Sequence, residues 1–260
     1  MDPHNTLKTI DGTPFNLPIA MANLYKTMDY FVALPPRTHQ EPDTYWDPKV
    51  DPDGQSRNRL KEAQTYVSNI REELKFIGRL TPGKVLDIGC GPGWLLSAID
   101  PAWDKYGVEP SRTAGSIAAT HANIEIANLE DADIQSKPFD LIVMYHVVEH
   151  LQNPVDALKA IRSMILPKGH MILGTPDFDS GAARRYGTNY RLLHDPTHIS
   201  LFSNDSMHRL LRDIGFKIQK VEYPFFDTSY FTRQTLLNLL SPQGISPPFY
   251  GNFMTFYCTV

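Results

Sequence analysis

Cysteine is scarce in this chain, with Cys90 and Cys258 the only two among 260 residues. Two thiols are too few for a disulfide scaffold and fit a reducing compartment. Basic runs are missing too: nothing exceeds Arg184-Arg185, and 25 Lys plus Arg stand against 29 Asp plus Glu for a net charge of -4. A protein that grips nucleic acid through phosphate neutralisation carries a basic excess or stripe, so nucleic acid is not an expected partner. Long apolar stretches are absent as well. The most apolar run, Leu141 to Val148, is interrupted by His146 and closed by Glu149, well short of the roughly 20 residues a membrane helix needs. The opening MDPHNTLKTIDG has no basic segment followed by an apolar one, so no signal peptide is expected and the expected location is the cytoplasm.

What remains is ordinary: 42% apolar, 21% charged and 11% aromatic residues, the make-up of a globular chain with ample length to bury a core. Proline is the unevenly placed residue. Eight of 21 fall in the first 55 positions (3, 14, 18, 35, 36, 42, 48, 52), where no period of 2 or 3.6 is sustained but Tyr25, Tyr30, Phe31, Tyr45 and Trp46 occur. This predicts an irregular arm over 1–55 that packs by its aromatics, as a lid or a wrapped extension, ahead of a domain over 56–260.

From Ser56 the patterns become regular. Leu60, Ala63, Val67, Ile70, Leu74 and Ile77 recur at spacings of 3 and 4, predicting one amphipathic helix that ends at Thr81-Pro82-Gly83. Strands are expected at 84–88, 106–109, 123–127, 139–144 and 170–174, alternating with helices at 92–99, 111–121 and from Asn153-Pro154 to about Ile165. Strand and helix alternating at these lengths predict βαβ units in a doubly wound α/β sheet. An insertion rich in Gly, Asp, Arg and His follows over 176–202, then a Ser203-capped helix closed by Gly215, a strand at 216–223, a helix at 228–240, a proline-rich loop and a terminal strand at 252–260.

The densest chemical signal is Val85-Leu86-Asp87-Ile88-Gly89-Cys90-Gly91-Pro92-Gly93, a glycine loop between a strand and a helix. Such a loop lets the backbone turn tightly and approach a ligand closely. Its spacing is G-x-G-x-G, with Trp94 where the dinucleotide fingerprint needs glycine, which speaks against a hydride-transfer cofactor. Glu109 ends the second strand 20 residues after Gly89, where a carboxylate can accept hydrogen bonds from both ribose hydroxyls. Asp87 lies inside the first strand, able to meet a positively charged group directly or through water.

VLDIGCGPG, then YGVEPS, then FDLIVMYHVVEHL with its Asn-Pro-capped helix, then GTPDF, resemble the successive motifs of class I methyltransferases that use S-adenosylmethionine. The likeness spans about residues 60 to 220 and is strongest to the small-molecule branch with ubiquinone-type and sugar O-methyltransferases. It implies a seven-strand Rossmann-like sheet, mostly parallel with an antiparallel C-terminal strand. It also implies that Gly89, Cys90, Gly91 and Gly93 line the methionine and ribose portion with Asp87 nearby, and that Glu109, followed by Pro110, holds the ribose hydroxyls. Asn128 and Leu129 fall at the adenine positions, and Tyr145 would flank the methionine part.

Methyl transfer from a sulfonium needs alignment more than covalent help, and a hydroxyl acceptor calls for a base such as histidine. Two groups of histidines qualify: His146 and His150 after the fourth strand, His194 and His198 in the insertion. His146 to His150 also matches H-x-x-E-H, but that zinc-protease pattern needs a long helix, so no metal is expected. The Arg184-Arg185 and Tyr190-Arg191 groups could meet an anionic acceptor or simply be solvated. No Asn/Asp-Pro-Pro-Tyr segment follows the fourth strand, which weakens an amino-methyltransferase of nucleic-acid bases. The expectation is therefore methylation of a small polar acceptor, most readily a hydroxyl, inside an acceptor-covering insertion. A nicotinamide-dependent oxidoreductase and a catalytically silent cofactor-binding protein are the alternatives, and the oligomeric state is left open.

Overall fold

A computed structural model describes residues 14–35, 42–50, 56–134, 138–223, 232–246 and 252–260. Apolar runs too short for helices become one sheet of β1 (Lys84–Ile88), β2 (Asp104–Val108), β3 (Asn123–Glu125), β4 (Phe139–Tyr145), β5 (Ile165–Pro176), β6 (Lys217–Glu222) and β7 (Phe253–Thr259). Their order is β6-β7-β5-β4-β1-β2-β3. Four pairs, β1 with β2 and with β4, β2 with β3, and β4 with β5, are parallel. β7 runs antiparallel between β5 and β6, so the mostly parallel sheet with an antiparallel C-terminal strand is as expected. The chain leaves β1 toward β2 on one side and reaches β4 on the other, which opens a crevice at the carboxyl ends of these strands.

Helices cover both faces: α1 (Leu17–Thr27) in the arm, then α2 (Ala63–Asn69), α3 (Arg71–Ile77), α4 (Trp94–Ala98), α5 (Arg112–Ala118), α6 (Pro154–Met164), α7 (Gly181–Tyr186), α8 (Asn204–Ile214) and α9 (Arg233–Leu240). Side chains alternate across the sheet. Ile142 and Met144 of β4 join Leu158 and Ile161 of α6 and Leu210 and Leu211 of α8 in one core. Leu141 and Val143 face the other way, onto Ile70, Ile77, Leu95 and Leu96.

Three expectations about local structure change. The single helix expected over 60–77 is two, broken at Ile70 (φ -96, ψ 20). Thr65, Val67, Ser68 and Asn69 are weak helix formers, and the break leaves Ile70 fully buried. The arm is not irregular throughout: α1 starts at Asn16, whose side chain accepts the Ile19 N–H, with a proline in its first turn. Pro18, one of the eight prolines behind the irregular-arm expectation, lies in that first turn, where proline is tolerated. The insertion likewise contains α7. Phe15, Leu17, Met21 and Leu24 of the arm pack with Phe178, Ala183, Tyr186 and Tyr190 of the insertion in a third core. Val32 also pairs with Leu201 in a short antiparallel bridge. Pro3, Pro36, Pro52, the expected helix start at 228–231 and the end of the proline-rich loop at 247–251 lie outside the described residues. No helix among the described residues is long and apolar enough to cross a membrane.

Candidate active site

β1 delivers the glycine loop to the crevice. Gly89, Gly91 and Gly93 take φ values of 69, 53 and 77, the left-handed region that glycine enters without steric cost. At Gly93 packing adds a second requirement, because a Cβ there would lie 2.9 Å from Ala118 Cα in α5. The loop is tied to β2, whose Val108 carbonyl accepts the N–H groups of Gly89 (2.8 Å) and Cys90 (3.1 Å). The Cys90 thiol is pushed far up by burial, and it packs toward Gly107 inside the protein. Only its backbone belongs to the site.

Glu109 follows β2 and is buried. Its Oε2 accepts the Gly91 N–H at 2.9 Å and its Oε1 the Ser111 N–H at 3.0 Å. Burial raises its pKa while these backbone bonds pull it down. Asp87 is only 3% exposed, and burial first, then the Glu109 charge, pushes its pKa up to about 8. Among the described residues no lysine or arginine acts on it. A buried carboxyl without a cation fits a ligand that brings one. Asn128 and Pro110 are exposed at the same edge, with Asn128 Nδ2 3.4 Å from Asp131, while Leu129 leans on the main core.

The structure adds residues that sequence patterns missed. The turn Pro42–Trp46 sits on the start of α5, where Asp43 Oδ1 accepts the Ser111 hydroxyl (2.8 Å) and the Thr113 N–H (2.9 Å). Trp46 lies beside the Glu109 carboxylate, where its polar edge favours the charged form, and so near Gly91 that a Cβ there would come within 2.7 Å of its ring. From Trp46 an arc of rings runs through Trp94 (6.1 Å between centroids), Tyr66 (5.3 Å), Tyr145 (6.4 Å), His146 (4.5 Å) and Phe253 (4.7 Å). The scattered aromatics of the arm were the available signal, but their target was not readable.

Beyond Tyr145, His146 adopts φ 58, a left-handed conformation uncommon outside glycine, and its N–H donates to Gly174 O at 2.8 Å. Val148–His150 is a single 3-10 turn, too short for the zinc-protease pattern. His146 Nδ1 is 3.3 Å from Glu149 Oε1, and Glu149 Oε2 accepts the Thr175 hydroxyl at 3.0 Å. Burial opposes ionisation of Glu149, but the hydrogen bond from His146 and the fields of His150 and His198 hold its pKa at about 2. His150 Nδ1 lies 3.0 Å from Thr197 O, and His198 Nδ1 lies 2.6 Å from Leu192 O. A carbonyl only accepts, so each Nδ1 carries the hydrogen, and in the neutral ring Nε2 is the nitrogen left with a lone pair. Their rings are 4.9 Å apart. Glu149, His150 and His198 bring one ligand-type atom each within 4.8 Å of one another. Burial, ahead of all other causes, lowers the His198 pKa, which keeps it neutral.

The expected histidines are thus partly brought together. His146, His150 and His198 share Glu149, whereas His194 turns its Nε2 to Thr188 O at 2.8 Å. Of the insertion arginines, Arg184 and Arg185 are exposed and Arg191 is buried. Arg184 forks onto Asp179 (2.9 and 2.7 Å), and Arg185 donates to the carbonyls of Leu239 and Leu240 at the end of α9.

A glycine loop on a reversed strand order, a buried acid after β2 and a polar cluster beyond β4 define a Rossmann-like domain with a ligand-type crevice. Residues 60–221 match the family model described as a methyltransferase domain, and the chain belongs to this family of S-adenosylmethionine-dependent methyltransferases. Similar curated proteins include the ubiquinone biosynthesis O-methyltransferases of Acinetobacter baylyi (30% identical over 108 residues, 38% of this chain and 45% of that protein). That of Photobacterium profundum is 31% identical over 108 residues, covering 38% and 46%. The chain therefore spans less than half the length of these relatives. Among solved structures, a SAM-dependent methyltransferase from Archaeoglobus fulgidus aligns with TM-score 0.56 at 17% identity, over 78% of this chain and 98% of that one. The plantazolicin methyltransferase BpumL in complex with SAH aligns with TM-score 0.50 at 19% identity, over 77% and 83%.

Proposed function

We propose that this protein transfers a methyl group from S-adenosylmethionine to a hydroxyl of a small polar acceptor. The observation that supports it most is the pairing of His150 with His198 beside the ionised, buried Glu149 at the mouth of β4. The cofactor fits the residues present. Asp87 would face its ammonium group, the loop Gly89–Gly93 and Cys90 would run along it, Glu109 would take the ribose hydroxyls, and Asn128, Leu129 and Pro110 would border the adenine. Bound there, it supplies a methyl group already activated by the sulfonium.

The protein's own work is then alignment and proton removal. His150 Nε2 accepts the acceptor's proton, Thr197 O holds the opposite ring N–H, and Glu149 stabilises the imidazolium. His198, neutral and 4.9 Å away, positions the hydroxyl. His146 sits on the far side of Glu149 and orients it, and His194 contributes through its loop. Residues 14–35 of the arm and the insertion 176–202 together act as the acceptor cover, consistent with their shared core. The ubiquinone O-methyltransferase names of the relatives favour oxygen as the atom methylated. Family membership leaves the nicotinamide alternative without support.

A second arrangement uses the same three groups to bind a divalent cation that activates the acceptor. Calorimetry with S-adenosylhomocysteine and turnover of candidate acceptors test the proposal. Tight binding that is lost in Gly91→Arg and Glu109→Ala is expected, with turnover reduced in His150→Gln. Binding unaffected by these changes, or binding without turnover of any acceptor, would sink it.

A further inference from the structure

His198 stands beside His150 at the end of a run of hydrogen bonds that begins in the arm. The arm segment Val32–Ala33 pairs antiparallel with Ser200–Leu201, and the next N–H, that of Leu34, donates to Ile199 O at 2.7 Å. Ile199 follows His198 directly. Its own N–H donates on the other side to Glu149 O at 3.0 Å, and the Ser200 hydroxyl donates to Leu151 O at 2.7 Å. Ile199 is thus held by its N–H to the turn that carries Glu149 and His150, and by its carbonyl to the arm. Within the insertion, the bond from His198 Nδ1 to Leu192 O and the edge of Phe178 set the tilt of the imidazole. The ladder from the arm sets how far its backbone stands from Glu149.

A pair of two-residue strands has little stability of its own, so the arm segment needs further anchors. They come from α8 and its approach. Arg209 donates from Nη1 to Met28 O (2.6 Å) and from Nη2 to Asp29 O (3.0 Å), carbonyls at and just past the left-handed cap of α1, while its Nε meets Asp205 at 2.9 Å. The Tyr30 hydroxyl donates to Asp213 at 2.7 Å. Phe31 packs on Phe202 with 5.7 Å between ring centroids. These contacts fix the chain directly ahead of Val32. Neither Arg209 nor Tyr30 has a place in the histidine cluster described above.

We propose that the arm segment Val32–Leu34 is a strap that holds the His198 backbone against the turn of Glu149 and His150, and that Arg209 is the positioning residue that latches it. The inference rests on the reading in which His150 and His198 handle the acceptor hydroxyl. With the strap latched, the two imidazoles stand 4.9 Å apart and His198 is buried. With it lifted, His198 gains access to water and the pair comes apart. The arm thereby takes part in proton removal as well as in covering the acceptor.

Histidine side-chain NMR titration of the full chain saturated with S-adenosylhomocysteine tests this, with the His150 and His198 signals assigned through His150→Gln and His198→Gln. In the parent, His198 is expected to titrate below an ordinary histidine, since burial is the leading cause acting on it. Arg209→Gln is expected to move it up by about half a unit or more toward the ordinary value, and Arg209→Lys, which keeps the charge without the fork, to move it less. Leu34→Pro, which removes the N–H that reaches Ile199, is expected to act like Arg209→Gln, and Leu34→Ala, which keeps that N–H, to have a smaller effect. Amide exchange read by mass spectrometry should speed up together over 32–34 and 196–202 in Arg209→Gln, with 84–93 and 139–145 unchanged and S-adenosylhomocysteine affinity within about twofold. Should a variant lose exchange protection throughout the sheet, Tyr30→Phe, which removes only the bond to Asp213, is read in its place. An unchanged His198 titration in folded variants overturns the proposal, while persisting cofactor binding keeps the methyl-transfer reading intact. Faster exchange over the arm without 196–202 also overturns it, because the strap would then lie on the insertion without holding it. Absence of cofactor binding in the parent protein would overturn both.

Discussion

Asp87→Asn keeps the shape of the side chain and removes its charge, so it separates what the fold needs at that position from what a ligand needs. In the folded protein burial and the Glu109 charge raise the Asp87 pKa from 3.8 to about 8. Because the folded value lies above the unfolded one, the stability tied to this carboxyl is complete below pH 4 and declines as pH rises to about 8. At pH 7 the folded state holds a proton that the unfolded chain has released. Roughly three units at 1.36 kcal/mol each put the cost near 4 kcal/mol as an upper limit, and relaxation of the interior brings it toward 1 to 2 kcal/mol. Asparagine avoids this cost. At about 2 to 4 °C per kcal/mol, the ligand-free Asp87→Asn protein should melt several degrees higher than the parent at pH 7, with a flatter dependence of Tm on pH between 5 and 8. It should also lose the stabilisation by S-adenosylhomocysteine, since a neutral amide cannot pair with the ligand's ammonium. Differential scanning fluorimetry across pH, with and without S-adenosylhomocysteine, reads both effects. Calorimetry in buffers of different ionisation enthalpy adds a third, because binding at pH 7 should release nearly one proton from Asp87. A variant that melts lower than the parent without ligand, or that keeps its full ligand-induced shift, would refute the reasoning.

Other perturbations probe other parts of the site. His150→Gln should lower turnover by about 10² to 10⁴ while S-adenosylhomocysteine affinity stays the same, as read by steady-state kinetics and calorimetry. Prolonged dialysis against a chelator should leave turnover unchanged if the imidazole is the base, and a loss restored by a divalent cation would instead favour a metal between Glu149, His150 and His198. Glu149, held at about 2 against an ordinary 4.5, contributes stability that is present above pH 4.5 and lost as pH falls toward 2. Glu149→Gln should accordingly flatten the acid limb of the Tm profile. Gly93→Ala forces a left-handed residue against Ala118 and should cost about 1 to 3 kcal/mol in urea unfolding.

Much of the fold is legible because it depends on neighbours along the chain. The strand Lys84–Ile88 was readable to the residue from an apolar run stopped by glycine, and Ser203 from a polar cap before a periodic stretch. Asp87 and Glu109 were readable as a pair because a strand, a turn and a helix of ordinary length separate them. Where the reading failed, a distant contact had the deciding role. The proline-rich arm read as irregular, whereas Leu17, Met21 and Leu24 of α1 pack on Phe178 and Tyr186. The helix over 60–77 breaks at the buried Ile70, directly after the weak helix formers Val67, Ser68 and Asn69.

By itself, the sequence determined the order of strands and helices, the glycine loop and the two acids, since backbone φ preferences and hydrophobic period act over a few residues. Tertiary structure alone decided that His150 meets His198 and not His194, that Trp46 reaches Glu109 and that the arm segment Val32–Leu34 lies along Ile199–Leu201. Those meetings join segments far apart in the chain. They follow from which apolar faces bury each other, and spacing within any one segment carries no trace of that choice.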